Sequence, residues 1–133
     1  MFLNTCFLID LMRESKKAID GPATKKLQSI ENLILHVSLF TVCELMGGVE
    51  KSSNPQRERR HIELLLEHLR IIYPDTGFAV SYGEIYGYLS INGMMIPQMD
   101  LLIGCQAKML NMPLITKDVD HFKRIRGLVV ESY

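Results

Sequence analysis

Residues 96–118, IPQMDLLIGCQAKMLNMPLITKD, constrain the fold more than any other part of the chain. A proline and an acid precede an apolar stretch with helical spacing. Asn111-Met112-Pro113 then interrupts it, and residues 114–116 form a short apolar strand that runs into Asp118. Proline near a helix start and a turn cluster after its end are the terminators such an element needs. One carboxylate, Asp100, opens the helix, and another, Asp118, follows the strand. In a parallel α/β sheet, helix starts and the carboxyl ends of strands lie along one edge, where ligands bind.

The same alternation extends along the chain. Residues 1–5, MFLNT, read as a buried strand, and residues 7–13 have helical spacing with Phe7, Leu8 and Leu11 on one side. Residues 14–20 read as a polar loop. Gly21-Pro22 punctuates the chain ahead of a helix over residues 23–31, and residues 33–37, LILHV, form a second strand. Ser38 and Thr41 offer capping hydroxyls to a helix carrying Glu44, Leu45 and Val49, which puts Glu44 near a helix N-terminus. A polar loop over residues 51–56 leads into an amphipathic helix, residues 57–70, with Ile62, Leu65, Leu66 and Leu69 on one face and a locally basic opposite face.

Residues 71–73 form an edge-like third strand closed by Pro74, and residues 78–91 form a helix that stops at Asn92-Gly93. Gly83 and Gly87, four apart, make a stripe that lets a neighbouring helix approach closely. Tyr82, Tyr86, Tyr88, Met94, Met95 and Met99 read as core, with some facing a partner. Residues 119–126 make a turn of helix, and residues 128–131 the last strand. This order is the signature of one α/β domain, residues 1–133, built on a parallel sheet with helices on both faces. A chain of 133 residues suffices for one real core.

The balance of 15 basic and 15 acidic residues gives no net field from which to argue a partner. Cys6, Cys43 and Cys105 are scattered without C-x-x-C spacing, each in an apolar segment, so they read as reduced core residues rather than a disulfide or zinc framework. The longest apolar runs fall well short of the roughly 18 residues of a membrane span. No basic leader precedes the first strand, so the expectation is a cytoplasmic protein.

The topology gathers four polar side chains on one edge: Asn4, Glu44, Asp100 and Asp118. Hard oxygen donors from separate segments suit Mg²⁺ or Mn²⁺, whereas zinc would call for His or Cys as well. Two such ions about 3.5 to 4 Å apart activate a water and stabilise the leaving oxygen of a phosphodiester. Each acid alone is more often a favourable partner of a helix dipole; the combination carries the signal. Asp120 reads as a helix-start acid and Asp10 as solvated or paired. Among the cations that can flank the site and neutralise phosphates, Lys117, adjacent to Asp118, and Arg13, closing the first helix, are the first to test. His61 and His68 read as surface residues and His36 as a satisfied interior histidine, while His121 lies near the site. No phosphate-binding glycine loop follows any strand, which argues against a nucleotide cofactor.

The blocks LNTCFLIDLMR, SLFTVCELMGGVE, IPQMDLLIGCQAKMLNMPLITKDVDHFKRI and GLVVESY resemble, in order and spacing, those of PIN-domain ribonucleases, specifically the VapC-type toxins of toxin–antitoxin systems. The resemblance implies a three-layer fold with a five-stranded, mostly parallel sheet, and a homodimer or a higher toxin–antitoxin assembly. It also implies a VapB-type antitoxin and Mg²⁺- or Mn²⁺-dependent cleavage of RNA. Glu44, Asp100 and Asp118 match the family's acidic ligands, and Thr116 matches the hydroxyl residue beside the last of them. The first acid falls on Asn4, where similar proteins have Asp. An amide keeps one oxygen but loses the charge, so metal affinity and activity are expected to fall. Either the natural protein is weakened there or an Asp was deliberately replaced so that a toxic nuclease could be produced, and the intact remainder of the motif favours the second. The competing reading is a catalytically silent PIN-fold module that binds RNA or a partner. Gln98, where an acid often stands in similar proteins, is a second, smaller departure.

Overall fold

A computed structural model of the chain describes residues 1–133. The central strand β1 (Phe2–Leu3) leads into α1 (Thr5–Lys17) and α2 (Pro22–Ser29), and β2 (His36–Ser38) into α3 (Leu39–Val49) and α4 (Pro55–Leu66). Then β3 (Arg70–Ile72) leads into α5 (Phe78–Ile91) and α6 (Gln98–Met109), and β4 (Leu114–Ile115) into α7 (Val119–Phe122) before the last strand, β5 (Val130–Glu131). The strands form one sheet in the order β3-β2-β1-β4-β5, and every pairing is parallel.

Successive residues of a strand point to opposite faces, and β1 shows what that does here. Phe2 joins a core with Leu89, Leu101, Ile103, Leu114, Phe122 and Ile125. Leu3 joins another with Phe7, Leu8, Val37, Val49, Ile62 and Ile115. Both strand residues are essentially inaccessible, so β1 is covered on both faces and the sheet is the middle of three layers. From β1 the chain adds β2 and β3 on one side and then returns to the other side for β4. The carboxyl ends of β1 and β4 are therefore a topological switch point, where the crossovers diverge and leave a crevice.

The elements differ from the sequence expectation mainly at their ends. Thr5 begins α1 rather than ending the strand, and α1 runs on through residues expected to be loop, stopping at Ala18, whose φ of 52° is left-handed. The cause is Glu14. Its carboxylate accepts from Ala23 N (3.1 Å), Thr24 N (2.7 Å) and Thr24 Oγ1 (2.7 Å), capping α2, whose own cap residue, Gly21, has no side chain to do so. A Cβ at Gly21 would overlap the Glu14 carboxyl group. Leu33 and Ile34 are half exposed, and β2 begins later, at His36, which is set opposite Phe2. Ser38 caps α3 by accepting from Phe40 N (3.0 Å), whereas the Thr41 hydroxyl is buried without a partner. Glu44 consequently sits in the second turn of α3, beyond the strongest part of the helix dipole. Asn54 caps α4, which ends at Leu66, not at residue 70. Cys43 is exposed, not buried, and an added Cβ at Gly83 or Gly87 meets nothing, so no helix of this chain packs on that stripe.

Candidate active site

Asn4 follows β1 directly, and Thr116 follows β4, which pairs with β1. The register places Leu3 beside Ile115, and Asn4 N donates to Ile115 O at 3.1 Å. This ladder contact brings the two side chains together: Asn4 Nδ2 donates to Thr116 Oγ1 at 3.0 Å, a buried bond between residues 112 apart in sequence. Thr116 Oγ1 also accepts from Asp118 N at 3.0 Å, fixing the start of α7. Asn4 is 2% exposed and Thr116 0%, yet Asn4 Oδ1 has no hydrogen-bond partner. An orphaned buried acceptor is uncommon and calls for a reason.

Asp118 adjoins this pair through Thr116, Glu44 reaches it through Thr5, and Asp100 faces α7. Glu44 accepts a short hydrogen bond from the hydroxyl of Thr5, the neighbour of Asn4. Asp100, in the first turn of α6, faces His121 of α7, with Nδ1 2.8 Å from Oδ2. Burial pushes the Asp100 carboxyl above its ordinary range; the His121 hydrogen bond opposes that shift, and the charge of Asp118 adds to it. Asp100 and Asp118 thus lie within electrostatic reach of each other, and a cation between them would relieve both burial and repulsion.

No three His, Cys, Asp or Glu side chains are grouped closely enough to hold one ion between them. What is brought together is a hydrogen-bonded chain from Asn4 through Thr116 to Asp118, the pair Asp100 and Asp118, and Glu44 one residue's width from Asn4. The donors are hard oxygens, the kind that suits Mg²⁺ or Mn²⁺. The unpartnered Asn4 oxygen and the raised Asp100 carboxyl are both features that a divalent cation would satisfy, so the donor chemistry suits such an ion although the acids do not form a closed cluster.

The cations have partners. Asp10 accepts from Lys117 Nζ (2.7 Å), Tyr133 Oη (2.9 Å) and, more weakly, Arg13 Nη1 (3.4 Å). Burial opposes the Asp10 charge, but the Lys117 and Tyr133 bonds hold its carboxyl below the ordinary range. The Asp10 bond raises the Lys117 ammonium, keeping it charged beside Asp118. Tyr133 also packs edge-on to Phe7 at 4.9 Å. Arg13 and Glu44 line one groove of about 350 Å³ together with Lys16, Ser52 and Glu58. Asp120 is exposed in the first turn of α7, in keeping with a helix-start acid, and His36 meets Met1 O at 3.3 Å.

Residues 1–128 match the family model described as PIN domain. The chain belongs to the PIN-domain family. Within it the resemblance is to the VapC branch: Ribonuclease VapC1 of Haemophilus influenzae (strain R2866) is 36% identical over 126 residues, covering 95% of this chain and 92% of that protein. Among solved structures, VapBC-1 from nontypeable Haemophilus influenzae matches with 32% identity and a TM-score of 0.86 over 98% of this chain and 96% of the other. VapBC2 from Rickettsia felis, bound to a DNA fragment from its promoter, matches with 28% identity and a TM-score of 0.87 over 99% and 97%. The PIN fold accounts for the parallel three-layer architecture.

Two residues of this PIN domain were not singled out by sequence reasoning in the roles that they take here. His121 was noted only as near the site; its bond to Asp100 depends on the packing of α7 on α6. Thr5 was absorbed into a strand, although Asn4-Thr5 stands where a strand end meets a helix start, the arrangement that already flagged the Asp100 region. No helix is long and apolar enough to cross a membrane.

Proposed function

We propose that this chain is the toxin of a VapBC-type pair: a Mg²⁺- or Mn²⁺-dependent endoribonuclease fold whose activity is lowered by Asn4. The observation that carries the reading is the switch-point chain Asn4–Thr116–Asp118 with a buried, unpartnered oxygen on Asn4. Position 4, Glu44, Asp100 and Asp118 would hold the ions. When bound, these supply an activated water and charge to stabilise the leaving oxygen. The chain's own contributions are positional. Thr116 fixes the backbone of Asp118 and the side chain at position 4, Thr5 fixes Glu44, and Asp10 keeps Lys117 charged at the rim, where it can meet an RNA phosphate. Attack of water in line on phosphorus breaks the bond to the 3′ oxygen and leaves a 5′-phosphate and a 3′-hydroxyl.

A groove of about 750 Å³ between α1, α2 and α4, lined by Leu11, Ile19, Leu27, Leu64 and Leu65, supports an apolar segment of a VapB-type antitoxin as partner. The outward glycine stripe of α5 with exposed Val80, Tyr86 and Ile91 supports a homodimer. The second reading, an RNA-binding module that does not cut, has the amide at position 4 in its favour.

Cleavage of RNA by this chain and by Asn4→Asp separates the two. The variant is expected to cut at least about 10-fold faster in saturating Mn²⁺, a change of about 1.4 kcal/mol in the barrier. Asp100→Ala on top of Asn4→Asp should abolish that cleavage. No gain over a parent that cuts would refute the role given to position 4, and no cleavage by either form, with RNA still bound, would refute the nuclease reading and support the silent module.

A further inference from the structure

His121 contacts a proposed ligand, Asp100, from an element that neither the topology nor the motif accounts for. It lies on α7, three residues after Asp118, and is held there by its neighbour Phe122, which is 0% exposed in the core shared with α6. Its Nδ1 is 2.8 Å from Asp100 Oδ2. An ionised carboxylate has no hydrogen to give, so the ring nitrogen facing it must be the donor. Asp100 makes no capping bond within its own helix; its side chain is turned across to α7 instead. The Asp100 side chain is 18% exposed and that of His121 39%, so the bond is shielded on the Asp100 side and open to solvent on the ring side.

We infer that His121 is a positioning residue for Asp100: it occupies Oδ2 and orients the carboxyl group so that Oδ1 is left to face a divalent cation. This rests on the nuclease reading above and goes beyond it, because His121 is outside the acidic set. The geometry also couples two ligand-bearing elements. Asp118 stands at the start of α7 and His121 on its third residue, so the hydrogen bond, added to the packing of Phe122 on α6, ties Asp100 to the element that begins at Asp118. A carboxylate ligand held by a second hydrogen-bonding group loses less freedom on binding an ion, and removing such outer partners typically costs 10- to 100-fold in metal affinity or activity.

The test is Mn²⁺ binding by calorimetry to the full chain and to Asn4→Asp, each with and without His121→Ala, and with His121→Asn as the conservative variant. The amide nitrogen of Asn lies close to the position of Nδ1 and keeps a donor. His121→Ala is expected to weaken Mn²⁺ binding by about 10- to 100-fold, and His121→Asn to recover most of that loss. In the Asn4→Asp background, kcat at limiting Mn²⁺ should fall while KM for RNA stays constant. Mn²⁺ bound equally tightly by His121→Ala and its parent would overturn the inference while leaving the nuclease reading standing, as would a loss that His121→Asn fails to recover although the variant melts like its parent. If neither parent binds Mn²⁺, the nuclease reading falls and this inference with it.

Discussion

Gly104 lies in the middle of α6 where α7 comes against it. A Cβ built there would be 3.0 Å from Cδ1 and 3.2 Å from Cε1 of Phe122, and closer still to Cδ1 of Ile125. Phe122 is 0% and Ile125 1% exposed, so neither can swing into solvent to make room. Gly104→Ala therefore sets two effects against each other. Helix propensity favours Ala by about 1 kcal/mol. Overpacking a filled core costs about 1 to 3 kcal/mol, and a methyl group meeting two immobile neighbours belongs at the upper end. The net expectation is a loss of about 2 kcal/mol. For a chain of this size that lowers Tm by about 6 to 10 °C.

Thermal and urea unfolding would measure it, and a double-mutant cycle would identify the cause. Ile125→Val removes Cδ1, the atom nearest the new methyl, and alone costs about 1 kcal/mol. The pair Gly104→Ala with Ile125→Val should be about 1 kcal/mol more stable than the sum of the single effects predicts. The relief is partial, because the Phe122 contacts remain. An unchanged or raised Tm in Gly104→Ala, or strict additivity in the double variant, would refute the reasoning.

Two further substitutions probe the framework of the site. In Thr116→Val, Asn4 Nδ2 keeps only the 3.4 Å contact to Cys6 Sγ and the part-buried Asp118 N loses its acceptor; a loss of about 1 to 2 kcal/mol in urea unfolding is expected, with Thr116→Ser within about 1 kcal/mol of the parent, and a Val variant as stable as the parent would count against the bond. Glu14→Gln tests the clasp on α2. The folded carboxyl is held low by the Thr24 and Ala23 bonds in spite of the opposing effect of burial, so its stabilisation is complete above the unfolded value, about 4.3, and is lost as pH falls through the lower folded value. The gap between parent and Gln variant in urea midpoint should close as pH drops from 7 to below 4, and a gap constant across that range would contradict the assignment.

How much of this was legible in the sequence follows from which contacts are local. The parallel three-layer order could be read because strands such as Leu114–Ile115 are apolar runs bounded by turn residues, and that pattern needs no tertiary information. Glu14 was placed in a loop because a charged residue at a helix end reads as solvated; its partners, Ala23 and Thr24, become visible only when α2 folds back on α1. Leu33 and Ile34 look like strand residues, but register is set by pairing with Phe2 and Leu3, and the pairing begins at His36. The positions of Asp100 in the first turn of a helix and of Asp118 just past a strand were legible from one stretch, since a helix start and a strand end declare themselves locally. His121 was not, because nothing in VDHF says which helix its ring will face.

Position 4 shows why fold and activity must be tested separately. With Asn, Nδ2 donates to Thr116 Oγ1, which also accepts from Asp118 N and lies 3.3 Å from Cys6 Sγ, toward which its own hydrogen can turn. With Asp, the same hydroxyl needs only to rotate its hydrogen from Cys6 toward the carboxylate, while still accepting from Asp118 N. No heavy atom has to move, so the β1–β4 junction is compatible with either residue and the amide leaves the scaffold intact. What the amide removes is charge, at a buried point linked through Thr116 to the start of Asp118 and, by way of its neighbour Thr5, to Glu44. The expected signature of Asn4→Asp is therefore opposite in the two states: lower stability without a divalent ion, because a further carboxylate is buried, and a larger rise in Tm when Mn²⁺ is added, because binding to the folded state alone stabilises it by about 2.7 kcal/mol at 100 times Kd. Equal Mn²⁺-induced shifts in the two forms would mean that position 4 does not face the ion.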